Sequence, residues 1–283
     1  MKRFLAVATT VLAAVLGLTV GRSAAVDELC FGKPATVVGL IGTDGPDVII
    51  GTDSAETIDG KGGDDYICAK GGADIVQGGL GNDSIDGGAG NDDLIGDRDS
   101  LLTPGDLTGG GHDLILGGLG GDRLTGDNFV RSGTASASGG GSDRIEGGDD
   151  PDNIVGDNRV DGTGNASGGA ADYLLGQGGN DSIIVGDNFA VAGIASSGDQ
   201  RDRIDGGSGD DGLLVGDNGT QTGSATGGGN DDIIGGPGID GMYGDNLAQF
   251  GGTAPANGLV DRCDGGADVD TADANCEIVP NVP

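Results

Sequence analysis

Between Gly42 and Ile95 the chain repeats every nine residues without a gap: GTDGPDVII, GTDSAETID, GKGGDDYIC, AKGGADIVQ, GGLGNDSID and GGAGNDDLI. The sixth position of each block is acidic (Asp47, Glu56, Asp65, Asp74, Asp83, Asp92) and the eighth aliphatic (Ile49, Ile58, Ile67, Val76, Ile85, Leu94). A short fixed period of this kind restricts a chain to stacked repeats, where each layer needs only one or two core side chains. The composition allows little else. Glycine accounts for 65 of 283 residues, tryptophan is absent and aromatics make up 3%, so a conventional core of this size is hard to build. There is no Gly-X-Y period, which excludes collagen.

Each part of the block has a physical reading. Glycine tolerates positive φ, so the backbone can curl until its carbonyls point inward. The aspartate adds a carboxylate to that curl, and the aliphatic residue faces the interior. Hard oxygen ligands at this density suit Ca²⁺, which takes about 6–8 oxygens in flexible geometry. The motif GGxGxD begins at 78, 87, 117, 206 and 235. The blocks resemble the haemolysin-type (RTX) calcium-binding repeat, GGxGxDxUx with U aliphatic, over roughly 42–273. The resemblance implies an all-β fold, a parallel β-roll or β-solenoid in which GGxGxD is a turn, xUx a short strand, and two nonapeptides make one coil. It also implies several bound Ca²⁺ ions. The candidate metal ligands are the sixth-position acids Asp47, Asp65, Asp74, Asp83, Asp92, Asp113, Asp122, Asp143, Asp152, Asp172, Asp181, Asp202, Asp211, Asp231 and Asp240, with the turn carbonyls around them.

Magnitudes decide whether the metal is optional. Coils stack about 4.8 Å apart, and two bare carboxylates about 5 Å apart repel by roughly 0.8 kcal/mol in water and about 3 kcal/mol at an effective dielectric of 20. A buried isoleucine contributes about 1.5–3 kcal/mol, while ordering costs about 1–2 kcal/mol per residue in backbone entropy. Two aliphatics per coil are not expected to offset both terms. A cation between turns reverses the electrostatic sign, so folding is expected to be coupled to calcium. The expected affinity per site is about 10⁻⁴–10⁻³ M, the range of extracellular modules.

After Ile95 a longer period appears. GDN recurs at 126, 156, 186, 216 and 244, with GDR at 96, and each unit holds two nonapeptides plus about twelve further residues. If strands alternate between two sheets, one edge carries an unbroken row of short turns, with Glu56, Asp74, Asp92, Asp122, Asp152, Asp181, Asp211, Asp240 and Asp270. The other edge carries Asp47, Asp65 and Asp83, followed by six long loops that end at Asp113, Asp143, Asp172, Asp202, Asp231 and Asp261. A strand within each insertion is expected to break this assignment beyond residue 96. Five loops share Gly-x-Ala (Gly133/Ala135, Gly164/Ala166, Gly193/Ala195, Gly223/Ala225, Gly252/Ala254), which predicts a second ordered ladder. The GDN aspartates Asp127, Asp157, Asp187, Asp217 and Asp245 either supply replacement oxygens or mark a turn.

The ends read differently. Residues 1–25 have a basic start, an apolar stretch over 4–20 and small residues at Ser23-Ala24-Ala25, as in a cleaved signal peptide. Removing them takes away Lys2, Arg3 and Arg22 and leaves 11 basic against 46 acidic residues, a formal charge of −35. That acidity argues against nucleic acid and anionic membranes as partners. Secretion makes disulfides expected. Four cysteines allow three pairings, and proximity favours Cys30–Cys68 and Cys263–Cys276. The expected organisation is a signal (1–25), an N-terminal cap (26–41), regular nonapeptides (42–95), 30-residue units (96–261) and a disulfide-tied cap (262–283). RTX proteins exported in one step usually carry a C-terminal signal instead, so that export route does not fit.

Catalysis has little to stand on. His112 is the only histidine, at a variable turn position, and neither GxSxG nor HExxH occurs. The expectation is a secreted, monomeric, non-enzymatic calcium-binding protein without membrane insertion. The alternative is an adhesin or matrix protein that docks a surface partner on its long loops.

Overall fold

The structure, a computed structural model, describes residues 28–198, 200–250, 253–254, 261–266, 268–274 and 276–278. The expected signal segment lies outside them. The described residues form an all-β solenoid with no helix among them.

Two parallel sheets make the roll. One has ten strands and begins Val48–Ile50, Tyr66–Cys68, Ser84–Ala89 and Leu114–Leu119; the other has nine and begins Thr57–Asp59, Ile75–Gln77, Asp93–Ile95 and Arg123–Thr125. Consecutive strands alternate between them, so the eighth-position residues fall into two facing columns. Ile49, Ile67, Ile85, Ile115, Ile145, Leu174, Ile204 and Ile233 pair in register on one sheet. Ile58, Val76, Leu94, Leu124, Ile154, Ile184, Leu214 and Met242 do so on the other. Together they form one fully buried cluster, in which each side chain contributes about 1.5–3 kcal/mol.

The insertions are ordered. They build two further parallel sheets of five strands each, one containing Phe129–Val130, Arg159–Val160 and Phe189–Ala190, the other Leu107–Thr108, Ala137–Ser138 and Ala166–Ser167. This arm has its own thin core of Leu107, Val130, Ala137, Val160, Ala166, Ala190 and Ala195. Val155, Val185, Phe189 and Val215 fill the junction with the roll.

Two expectations need correcting. Strands within the insertions do not break the edge assignment, because in the four insertions that begin at 126, 156, 186 and 216 they come in pairs. One strand leaves the roll, one returns, and the next roll strand rejoins its sheet in register. The first Gly-x-Ala pair is also out of step. Ala137, not Ala135, pairs with Ala166, which pairs with Ala195 and then Ala225. An added Cβ on Gly164 would meet the Ala135 carbonyl, so Ala135 stands where later units have glycine.

The ends are tied as proximity favoured, by Cys30–Cys68 and Cys263–Cys276. Cys263 stacks on Ile233 in the inward column and closes the core where an aliphatic residue would otherwise stand.

Candidate metal centre

Both predicted edges form continuous acid columns. Along the short-turn edge the backbone N–H of Glu56 donates to Asp74 Oδ1, that of Asp74 to Asp92, and so on through Asp122, Asp152, Asp181, Asp211 and Asp240 to Asp270, at 2.7–3.0 Å. Along the insertion edge the same bond runs from Asp47 through Asp65, Asp83, Asp113, Asp143, Asp172, Asp202 and Asp231 to Asp261, at 2.7–3.0 Å. One oxygen of each accepting carboxylate is therefore spent on joining coils.

The other oxygen is buried and has no hydrogen-bond partner. This holds for Oδ2 of Asp65, Asp74, Asp83, Asp92, Asp113, Asp122, Asp143, Asp152, Asp172, Asp181, Asp202, Asp211, Asp231 and Asp240. Each such oxygen points at the glycine that opens its own turn, except in the block opened by Ala69. An added Cβ on Gly78 would collide with Asp83 Oδ2 and with the Gly96 carbonyl of the next coil; on Gly117, with Asp122 Oδ2 and the Gly147 carbonyl. The first glycine of GGxGxD thus leaves room for a carboxylate and a neighbouring carbonyl to converge. A buried polar atom without a partner costs free energy comparable to a lost hydrogen bond, and an unpaired charge costs more. Burial accordingly pushes Asp65, Asp122, Asp152 and Asp181 up to about 7 and Asp83 to about 8.

Asp47 and Glu56, in the first coil, differ. Asp47 Oδ2 accepts the Thr43 N–H at 2.7 Å and the Thr43 hydroxyl at 2.8 Å, and Oδ1 accepts the Thr36 hydroxyl at 3.3 Å. Glu56 is satisfied in the same way by Thr52. Asp47 lies in the predicted column, but its carboxylate is already occupied.

The GDN segments add a set of groups that the repeat alone did not assign. Their aspartates stack in register, with the Asp127 N–H donating to the Asp157 carbonyl and so on to Asp187 and Asp217 at 2.9 Å. All of these side chains are buried. Both carboxylate oxygens of Asp97, Asp157 and Asp217 lack a hydrogen-bond partner. They face the insertion-edge column, and an oxygen from each of Asp187, Asp202 and Asp217 lies within 4.8 Å of the others. Burial, reinforced by the surrounding carboxylates, holds Asp143, Asp157 and Asp202 well above the usual carboxylate range.

The third letter of GDN has a different task. Asn158 Nδ2 donates to Asn188 Oδ1 at 3.0 Å and, across the neck of the arm, to the Gly139 carbonyl at 2.8 Å and the Ser167 carbonyl at 3.2 Å. Asn128, Asn188 and Asn218 continue the ladder. In GDR, Arg98 replaces the asparagine and reaches the equivalent Thr108 carbonyl at 3.1 Å. The sequence signal for this system was the 30-residue recurrence of GDN, which left a turn and a ligand equally open.

Every group at these positions is an oxygen donor, anionic or carbonyl, with unpaired acceptors directed into a shared space. That set fits Ca²⁺, which coordinates hard oxygens without a strict geometry. An all-parallel roll with stacked carboxylates along its turns defines the class, a metal-binding repeat solenoid. Residues 40–67 and 69–100 match the family model of the RTX calcium-binding nonapeptide repeat (4 copies), so this stretch of the chain carries RTX repeats. The match ends near the first insertion. Comparisons with curated proteins and with solved structures gave no match.

Proposed function

We propose that the protein is a secreted scaffold that binds several calcium ions and completes its fold on binding them. The observation that carries this reading is the pair of buried acid columns, in which each acid from Asp65 to Asp240 has one orphaned oxygen. The residues that would hold the ions are Asp65, Asp83, Asp113, Asp143, Asp172, Asp202 and Asp231 on the insertion edge and Asp74, Asp92, Asp122, Asp152, Asp181, Asp211 and Asp240 on the other. A bound cation supplies positive charge and takes up lone pairs that the protein leaves unused. An extracellular setting suits the apolar leader and both disulfides. No catalytic role is assigned. His112 is an exposed turn residue whose Nδ1 accepts the Ser142 N–H at 2.8 Å, which is a structural use.

Circular dichroism of the chain lacking 1–25, followed through a calcium titration and reversed with chelator, tests the proposal. β-structure should appear with calcium and decline with chelator, and magnesium should substitute poorly because it demands a tighter octahedral shell. A chain fully ordered in excess chelator, with no calcium taken up on dialysis, refutes it. The ordered arm favours a second reading, a docking surface for an extracellular partner. Binding to cell surfaces that survives deletion of the insertions would remove that reading.

A further inference from the structure

The insertions do more than lengthen each coil. Each sends its GDN aspartate back beneath the roll, against the acid that closes the same insertion. The outcome is an internal seam, flanked by the roll core on one side and the arm core on the other. Its clearest member is Asp217. This side chain is fully buried, neither of its oxygens has a hydrogen-bond partner, and one of them lies within 4.8 Å of carboxylate oxygens from Asp187 and Asp202. Asp202 brings an unpartnered Oδ2 of its own. Three carboxylates cannot converge in a dry site as bare anions. Like charges at that range disfavour ionisation, and burial adds to the penalty. The Ser197 hydroxyl interacts with Asp187 and the Asp172 N–H donates to Asp202 Oδ1, but no hydrogen bond reaches the Asp217 carboxylate or Asp202 Oδ2 among the described residues. The neighbouring asparagine amides donate along their own ladder and to backbone carbonyls.

We infer that the GDN aspartates form a second class of divalent-cation site, in which Asp187 and Asp217 of successive coils and the closing Asp202 hold one hard cation between them. This rests on the calcium reading above and adds ligands that the nonapeptide does not contain. The stoichiometry follows from charge. Each 30-residue unit contributes two aspartates to the seam, one from GDN and one closing the insertion, and one divalent ion balances two carboxylates. The ion also joins the outgoing and returning limbs of an insertion, and the coil below to the coil above. The arm is thus fastened to the roll at the neck by ions as well as by the asparagine ladder and the apolar junction around Phe189. Glycine is required there: an added Cβ on Gly186 would meet the Gly216 carbonyl and approach Asp202 Oδ2, and one on Gly169 would approach Asp187 Oδ1.

The test is calcium stoichiometry by equilibrium dialysis and elemental analysis of the chain lacking 1–25, for wild type, Asp187→Asn/Asp217→Asn, and Asp152→Asn/Asp181→Asn on the opposite edge. The seam variant should bind at least one ion fewer per chain while the short-turn edge still loads. The opposite-edge variant should lose ions without affecting the seam. Unchanged stoichiometry in the seam variant, with calcium still bound, overturns the seam and leaves the calcium reading intact; a wild-type chain that takes up no calcium overturns both. If the seam variant does not fold, a long-wavelength anomalous difference map from calcium-grown wild-type crystals decides. A peak among Asp187, Asp202 and Asp217 supports the site. Peaks along the short-turn edge with none in the seam overturn it, and carboxyls sharing protons then account for the cluster.

Discussion

Gly79 and Gly81 have φ of 115° and 140°, and Gly118 and Gly120 have 108° and 112°, so the second and fourth letters of GGxGxD are the ones that must enter the left-handed region. Three turns place a non-glycine second letter in that region, Lys61 (φ 74°), Lys70 (78°) and Gln177 (74°), and are strained there. A left-handed L-residue costs roughly 1–2 kcal/mol, and among the described residues the exposed Lys61 has no hydrogen bond or ion pair to offset it. Lys61→Gly should therefore raise stability by about 1 kcal/mol in denaturant melts with calcium present; a drop would show that the turn is not strained. Asp47 supplies a contrast within the acid column. With its oxygens held by Thr43 and Thr36, Asp47→Asn should weaken the first turn by about 1 kcal/mol and leave calcium stoichiometry unchanged. Fewer bound ions would place Asp47 among the ligands after all. The buried acids also set a pH dependence. Burial raises Asp65 and Asp122 to about 7 and Asp83 to about 8, from 3.8. Between about 4 and 8 the metal-free roll keeps protons that the unfolded chain has released, so its stability falls as pH rises through that window. In chelator, β-structure should increase as the pH is lowered from 8 towards 5. Calcium competes with those protons and should flatten or invert the profile. A chelated chain most ordered at pH 8 would contradict burial as the cause.

Among the elements, the nonapeptide strands were readable because their period records both the inward aliphatic and the turn acid. Ile49, Ile58 and Ile67 lie in the core where the eighth position put them, and the two acid columns follow from counting alternate turns. The insertions were only partly readable. Gly-x-Ala announced a ladder, but strands of two residues, such as Phe129–Val130 and Ala166–Ser167, carry no alternation that would reveal a pair within each insertion. The inward direction of Asp157 and Asp187 was also hidden. GDN has the composition of a turn, and only the stacking of five copies shows that its aspartate faces a neighbouring column while its asparagine faces the arm. The ladder predicts a cost. Asn188 Nδ2 serves the Gly168 carbonyl at 2.6 Å, the Ser196 carbonyl at 3.1 Å and Asn218 Oδ1 at 3.2 Å. Asn188→Ala leaves these acceptors unsatisfied in a buried neck and should destabilise the protein by roughly 2–4 kcal/mol. Hydrogen exchange should accelerate first in the arm strands flanking residue 188, whereas acceleration confined to the roll sheets would place the ladder's energy elsewhere.

Across the whole molecule, stability has to be conveyed from coil to coil, since each layer touches only its neighbours. Three kinds of bond cross every interior layer boundary: the sheet ladders, the N–H to Oδ1 bonds of the acid columns, and the contacts between stacked aliphatics. Cations shared between layers would add a fourth. A terminal coil has this set on one face only. The two disulfides stand at those places, Cys30–Cys68 joining the N-terminal hairpin to the second strand of the ten-stranded sheet and Cys263–Cys276 joining its last two strands. They substitute covalently for the neighbour each end lacks, and the bulk of the stack does not depend on them. Reducing both bonds in saturating calcium should therefore fray the protein from its ends. Amide protection should fall first around Val48–Ile50 and around Cys263, while strands such as Arg144–Gly148 and Ile183–Val185 keep theirs. A uniform loss of protection along the chain would mean that the stack unfolds as a single unit, with coupling between coils strong enough to make end and middle equivalent.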